Sequence, residues 1–320
     1  GSFFGGLAGS ALKFFGAKAP QPKRTRGLLA VALGLNLYDL LGRHERALPR
    51  HRIERLNDKD RALFRDAIRW NAAYFDAWIS HPEWLMLELI ADACRDQPRS
   101  AAVNYCRAIG CAGNMVTLRD ELTGELVHVT ADCVVNAGGA WLDRCTAVLG
   151  GAAPRVMGTK GSHLVLDHPQ LRDALDGRMA YFEAVDGRVC IVYPFLGRVL
   201  VGSTDIPVDD PDRVVTEPHE IDYLLDVLRG LFPKLPSALG EVVYPYVGVR
   251  PLARSEDAEH PGQISRDHSV VLDAPDATRD IPIVGLVGGK WTTFRALAEE
   301  ASDQVLRQLG RTRTASTKQL

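Results

Sequence analysis

Apolar residues recur at helical spacing at four places in the chain. Leu63, Phe64, Ala67 and Ile68 share one face and predict a helix over Asp58–Trp70. Ser80-His81-Pro82-Glu83 reads as a capping box that opens a helix through Trp84, Leu87, Leu89 and Ile90 to about Cys94. Ile221, Leu224, Leu225, Leu228 and Leu231 form the stripe of a helix that follows Pro218 and stops at Phe232-Pro233. Phe294, Leu297, Ala298, Ala301, Val305 and Leu306 predict a last helix, with Gly310 as its stop. Between the helices lie shorter, strand-like runs: Asn114–Arg119, Leu126–Thr130, Cys133–Val135, Ser162–Leu166, Val189–Tyr193, Arg198–Gly202, Val242–Tyr246 and Ile281–Val287. Phe195-Leu196-Gly197 reads as a hairpin turn. Helices and strands are mixed rather than strictly alternating, which predicts α/β combined with α+β architecture.

Composition narrows the classes. Apolar residues make 46% and charged residues 24% of 320, as in globular chains. Lys and Arg number 38 against 40 Asp and Glu, so bulk charge does not support a nucleic-acid partner. The six cysteines include no C-x-x-C pair; they read as buried free thiols rather than a metal or redox site. No metal site is expected. Lys23, Arg24 and Arg26 ahead of the apolar Gly27–Leu35 imitate a secretory signal. Asn36 and Asp39 interrupt the run, which is shorter than the roughly 20 residues of a bilayer span. A buried or interfacial helix is the expectation. Gly1–Ala19, with Phe3, Phe4, Leu7, Phe14 and Phe15, suits contact with a membrane surface. The tail, residues 311–320, is polar.

Three regions carry candidate chemistry. In Ile281–Arg295 a strand runs into Gly288-Gly289, and a helix follows with Lys290 at its mouth. Glycine lets a ligand approach the backbone, and a helix N-terminus offers free N–H groups to an anion. A P-loop is excluded, because Val284 stands where its first glycine belongs and Trp291 follows the lysine. Glycines that serve only strand–helix packing explain the same pattern. Asn136-Ala137-Gly138-Gly139-Ala140-Trp141 is a strand end that suits the edge of a nucleotide or flavin site, and equally a tight turn. The third region is dispersed: Lys160-Gly161-Ser162-His163, Gly202-Ser203-Thr204-Asp205, Arg250, and Ile264-Ser265-Arg266-Asp267-His268. Arg250 in an apolar context needs an anion, either a ligand or a structural carboxylate.

Together these segments resemble, in order and spacing, the FAD-dependent glycerol-3-phosphate dehydrogenases of the D-amino-acid-oxidase-like superfamily. The segments are Lys160–His163, Gly202–Asp205, Gly248–Leu252, Ile264–Asp267 and Gly288–Arg295, with Asn136–Trp141 and Tyr38-Asp39 in support. The resemblance implies oxidation of sn-glycerol 3-phosphate to dihydroxyacetone phosphate, with hydride passing to FAD and electrons on to quinone. It implies His163 as the base at the C2 hydroxyl, with Arg250 and Lys290 also catalytic. Ser162, Thr204, Asp205, Arg250, Arg266 and Lys290 would bind substrate. Asn136, Ala137, Gly138, Trp141, Gly288, Gly289, Lys290, Trp291, Thr292 and Thr293 would bind the cofactor. The family opens on a strand and a G-x-G-x-x-G loop, and Gly5-Gly6-Leu7-Ala8-Gly9 matches neither its spacing nor its context. The expectation is an incomplete, Rossmann-like FAD-binding domain (81–151 and 281–310) beside a mixed antiparallel-sheet substrate domain (25–80 and 152–280), with the pocket between them. A related flavin oxidase of another hydroxy or amino compound, or a non-catalytic relative that binds phosphate esters, is the alternative. The expected location is cytoplasmic or peripheral at the inner face of the cytoplasmic membrane.

Overall fold

A computed structural model describes residues 28–41, 48–76, 78–152, 154–235, 241–254 and 267–317. Gly1–Ala19, the basic residues 23–26 and Arg266 lie outside the described residues. In chain order the elements are α1 (Leu28–Leu41), β1 (Arg52–Arg55), α2 (Asp58–Leu63), β2 (Trp70–Ala73), α3 (Pro82–Asp96), β3 (Cys106–Ala112), β4 (Met115–Asp120) and β5 (Leu126–Thr130). Next come β6 (Val134–Asn136), α4 (Leu142–Val148), β7 (Val156–Leu166), α5 (Pro169–Leu175), β8 (Ala180–Glu183), β9 (Val189–Phe195), β10 (Arg198–Gly202) and β11 (Ile206–Val208). Last are α6 (Pro218–Leu231), β12 (Val242–Ala253), β13 (Ser269–Asp273), β14 (Ile283–Val287) and α7 (Phe294–Gln308).

The chain divides into two compact units. Among the described residues, the first holds those within 28–76 and 158–249, and the second those within 78–157, 250–254 and 267–317. The first unit is built on a six-stranded sheet ordered β11-β7-β10-β9-β8, with β12 also on β7. The pairings of β10 with β7 and β9, of β11 with β7 and of β8 with β9 are antiparallel. Strand alternation sorts β7 into two faces. Leu164 and Leu166 point with Val199, Val201 and Val192 into a core closed by Leu224, Leu225 and Leu228 of α6. The hairpin from β9 to β10 turns at Leu196 and Gly197, both at positive φ.

The second unit carries two three-stranded sheets. In one, β14 lies between β13, antiparallel, and β6, parallel. The other is the meander β3-β4-β5. Val116, Leu149, Ile281 and Ile283 form its buried core cluster.

Four expectations are revised. The helix over Asp58–Trp70 stops at Leu63. Phe64 turns extended to pack on Phe232, ring centroids 5.1 Å apart and tilted by 32°, and Trp70–Ala73 becomes a strand on β1. No capping box opens α3. His81 is the N-cap without a side-chain bond, its Nδ1 paired with Ser80 Oγ at 2.9 Å, and Pro82 starts the helix. Residues 250–254 and 267–280 fall in the second unit, where β13 pairs with β14 along its whole length. Of the six free thiols only Cys190 is fully buried; the others are half-buried.

Candidate active site

In the second unit, β6 and β14 run parallel with Asn136 opposite Gly285, so their carboxyl ends open on the same side. In open α/β sheets ligands bind at such an edge. Each strand runs into glycines and then a helix. After β6, the side chain of Asn136 is buried and fully used. Nδ2 donates to Leu142 O and Thr146 Oγ1, both at 2.9 Å, and Oδ1 accepts from Gly138 N at 3.0 Å. This revises the expectation for Asn136: its side chain pins the turn instead of facing a cofactor. Ala137 and Trp141 are exposed beside it, and Gly138 is half-buried.

After β14, Gly288 and Gly289 both have positive φ, 72° and 100°. A Cβ on Gly288 would sit 2.8 Å from Asp267 O, so glycine is required there. Lys290, Trp291, Thr292 and Thr293 follow, all exposed. Thr293 Oγ1 donates to Lys290 O at 3.1 Å and tightens the turn into the 15-residue α7. The result is an open glycine turn, a helix N-terminus and a lysine in one place, a setting for an anionic group. Arg250 is half-buried near the end of β12.

In the first unit, alternation along β7 separates neighbours that the sequence treats as one motif. Lys160 and Ser162 share the core face with Leu164; His163 takes the other. On the core face stands an acid that the sequence reading missed. Glu220, 1% exposed, lies in the first turn of α6. Its Oε1 accepts from Ser162 Oγ at 2.9 Å and Thr204 Oγ1 at 2.7 Å. Its Oε2 accepts from Glu217 N at 3.0 Å and lies 2.7 Å from Lys160 Nζ. Thr204 Oγ1 in turn accepts from Ser162 N at 2.8 Å. Burial alone would raise the Glu220 carboxyl; the donors Glu217 N, Lys160, Thr204 and Ser162 outweigh it and hold the pKa at about 2. Ser162 and Thr204 are therefore turned inward and buried at 0% and 2% exposure, which revises their expected place in a substrate pocket. The signal for Glu220 was available: a lysine on the core face of a strand demands a buried acid.

The opposite face of β7 is aromatic. The His163 ring stacks on Tyr246 of β12, centroids 5.0 Å apart and planes 9° apart. Tyr246 stacks in turn on Tyr244, at 6.5 Å and 19°. Burial raises the Tyr246 phenol, and burial with the neighbouring Tyr246 pushes Tyr193 up to about 12. Both stay neutral near pH 7, and histidine is the member of this cluster suited to accept a proton there. Asp205 is half-buried beside Thr204.

Residues 10–303 match the family model for FAD dependent oxidoreductases. Glycerol-3-phosphate dehydrogenase of Synechocystis sp. is 32% identical over 308 residues, which cover 90% of this chain and 54% of that protein. D-erythritol 1-phosphate dehydrogenase of Brucella abortus is 30% identical over 288 residues, 88% of this chain and 55% of that protein. Among solved structures, glycerol-3-phosphate dehydrogenase from Bacillus halodurans complexed with FAD aligns at TM-score 0.67 and 24% identity, covering 83% of this chain and 54% of that one. The chain thus spans about half the length of the curated relatives it matches.

Proposed function

The chain belongs to the family of FAD-dependent oxidoreductases, and from that premise we propose that it is the substrate-oxidising part of an enzyme acting on a polyol phosphate, with sn-glycerol 3-phosphate as substrate and dihydroxyacetone phosphate as product. The observation that carries the cofactor reading is the glycine turn at the mouth of α7. The positive end of α7, with Lys290 exposed beside it, fits the electron-rich pyrimidine side of a flavin. Ala137, Gly138 and Trp141 at the end of β6, and Gly288–Thr293 after β14, are the residues that would hold it. When bound, FAD supplies the hydride acceptor.

The remaining roles fall to side chains. His163 takes the proton from the C2 hydroxyl, a task suited to imidazole near neutral pH. Asp205 contributes to the same first-unit site. Arg250, Arg266 and Lys290 bind the substrate phosphate and favour a phosphorylated substrate over an amino acid. In the same reading the electrons pass on to a quinone, with the protein peripheral at the inner face of the cytoplasmic membrane. Among the described residues no helix is long and apolar enough to cross a membrane.

Steady-state turnover of the flavin-loaded protein tests the substrate class. Charge-assisted hydrogen bonds contribute about 1.5–3 kcal/mol each, so kcat/KM for glycerol should fall at least about 10³-fold below that for glycerol 3-phosphate. Comparable values for glycerol or glycine would overturn the phosphate reading. Equal or better turnover of D-erythritol 1-phosphate would move the substrate to a longer polyol phosphate.

A further inference from the structure

The His163 ring is held from two sides, and neither constraint comes from the motif that contains it. On one side is Gly202, opposite His163 in the β10–β7 pairing. A Cβ built on Gly202 would lie 2.1 Å from His163 Cδ2 and 2.8 Å from both Cγ and Nε2. The ring therefore lies in the space that a side chain at 202 would occupy. Against the ring also stands Tyr246, near-parallel at 5.0 Å and itself stacked on Tyr244. Tyr246 belongs to β12, which adds to the same sheet through β7. A histidine side chain has two rotatable bonds, and the missing Cβ and the aromatic plate together fix both. General-base catalysis needs such fixing, because a misplacement of about 1 Å can cost about 10²-fold in rate.

We propose that Tyr246 is a positioning residue: with Gly202, it clamps the His163 imidazole in the orientation from which it takes the substrate proton. The inference rests on the reading of His163 as the base. The face of the Tyr246 ring does the work, and the phenol oxygen is dispensable. Tyr246→Phe keeps the plate, and Tyr246→Leu removes it at similar bulk.

The experiment combines a double-mutant cycle with proton NMR of the flavin-loaded protein. Tyr246→Leu is expected to lower kcat about 10–100-fold with KM within about threefold, while Tyr246→Phe stays within about twofold of the parent. In a His163→Ala background, Tyr246→Leu should add less than about twofold, because the group it positions is gone. The His163 ring C–H resonances, assigned by their loss in His163→Ala, should lie upfield from the Tyr246 ring current. They should move downfield in Tyr246→Leu and hold in Tyr246→Phe. An undiminished loss in the His163→Ala background, or resonances unmoved by Tyr246→Leu, overturns the clamp. Near-parental kcat in His163→Ala itself overturns the base reading instead, and the resonances still decide whether the clamp exists.

Discussion

Replacing Glu220 by glutamine is expected to lower the free energy of unfolding by about 3–5 kcal/mol, the cost of leaving a buried charge without its partner. Lys160 is 5% exposed, and its ammonium lies 2.7 Å from Glu220. The other acid in reach, Glu217 at 3.6 Å, is half exposed and a weaker counter-charge. The substitution also weakens the acceptor shared by Ser162 and Thr204. Urea unfolding at pH 7 measures the loss; a change below about 1 kcal/mol would show that the knot does not hold the sheet to α6. The pH dependence has a definite sign. Glu220 is held at about 2 against an ordinary value of 4.5, so its contribution is fully present above about pH 4.5 and lost as pH falls through about 2. A gap of that size corresponds to about 3 kcal/mol. In the Gln variant, this segment of the acid-unfolding profile should flatten.

His163→Ala carries the largest expected effect on turnover. A positioned general base contributes about 10²–10⁴-fold, so with His163 in the proposed role kcat should fall by that factor while the cations proposed to bind phosphate keep KM close to the parent value. His163 lies on the face of β7 opposite the Glu220 knot, so the substitution should leave the acid-unfolding step assigned to Glu220 unchanged. A kcat within about tenfold of the parent would remove the base assignment.

Much of the fold is legible in the sequence where one physical signal dominates. The stripe from Ile221 to Leu231, bounded by Pro218 and Phe232-Pro233, gives α6, and Arg198–Gly202 emerges as a short apolar run beside a turn at positive φ. Over Asp58–Trp70 a local signal is outweighed by partners distant in sequence. Phe64 and Ile68 fit a helical stripe, yet they pack against the core cluster that contains Phe232, while Arg65 N donates to Leu231 O. The short strands Arg52–Arg55 and Trp70–Ala73 exist because they pair with each other. At the candidate site, residue types and order pointed to both motif regions, but the faces were lost. Ser162 and His163 are adjacent in sequence and point to opposite sides of the sheet. Glu220 reads as an ordinary first-turn acid until Lys160 is placed on the core face of β7.

We propose that a flavin held by this chain takes electrons from a phosphorylated polyol. The most direct measurement is the anaerobic visible spectrum of the flavin-loaded protein before and after addition of glycerol 3-phosphate. The flavin band at about 450 nm, a property of the cofactor itself, should bleach with glycerol 3-phosphate and stay unchanged with glycine or glycerol. A band that glycine bleaches, or that no polyol phosphate bleaches, would contradict it.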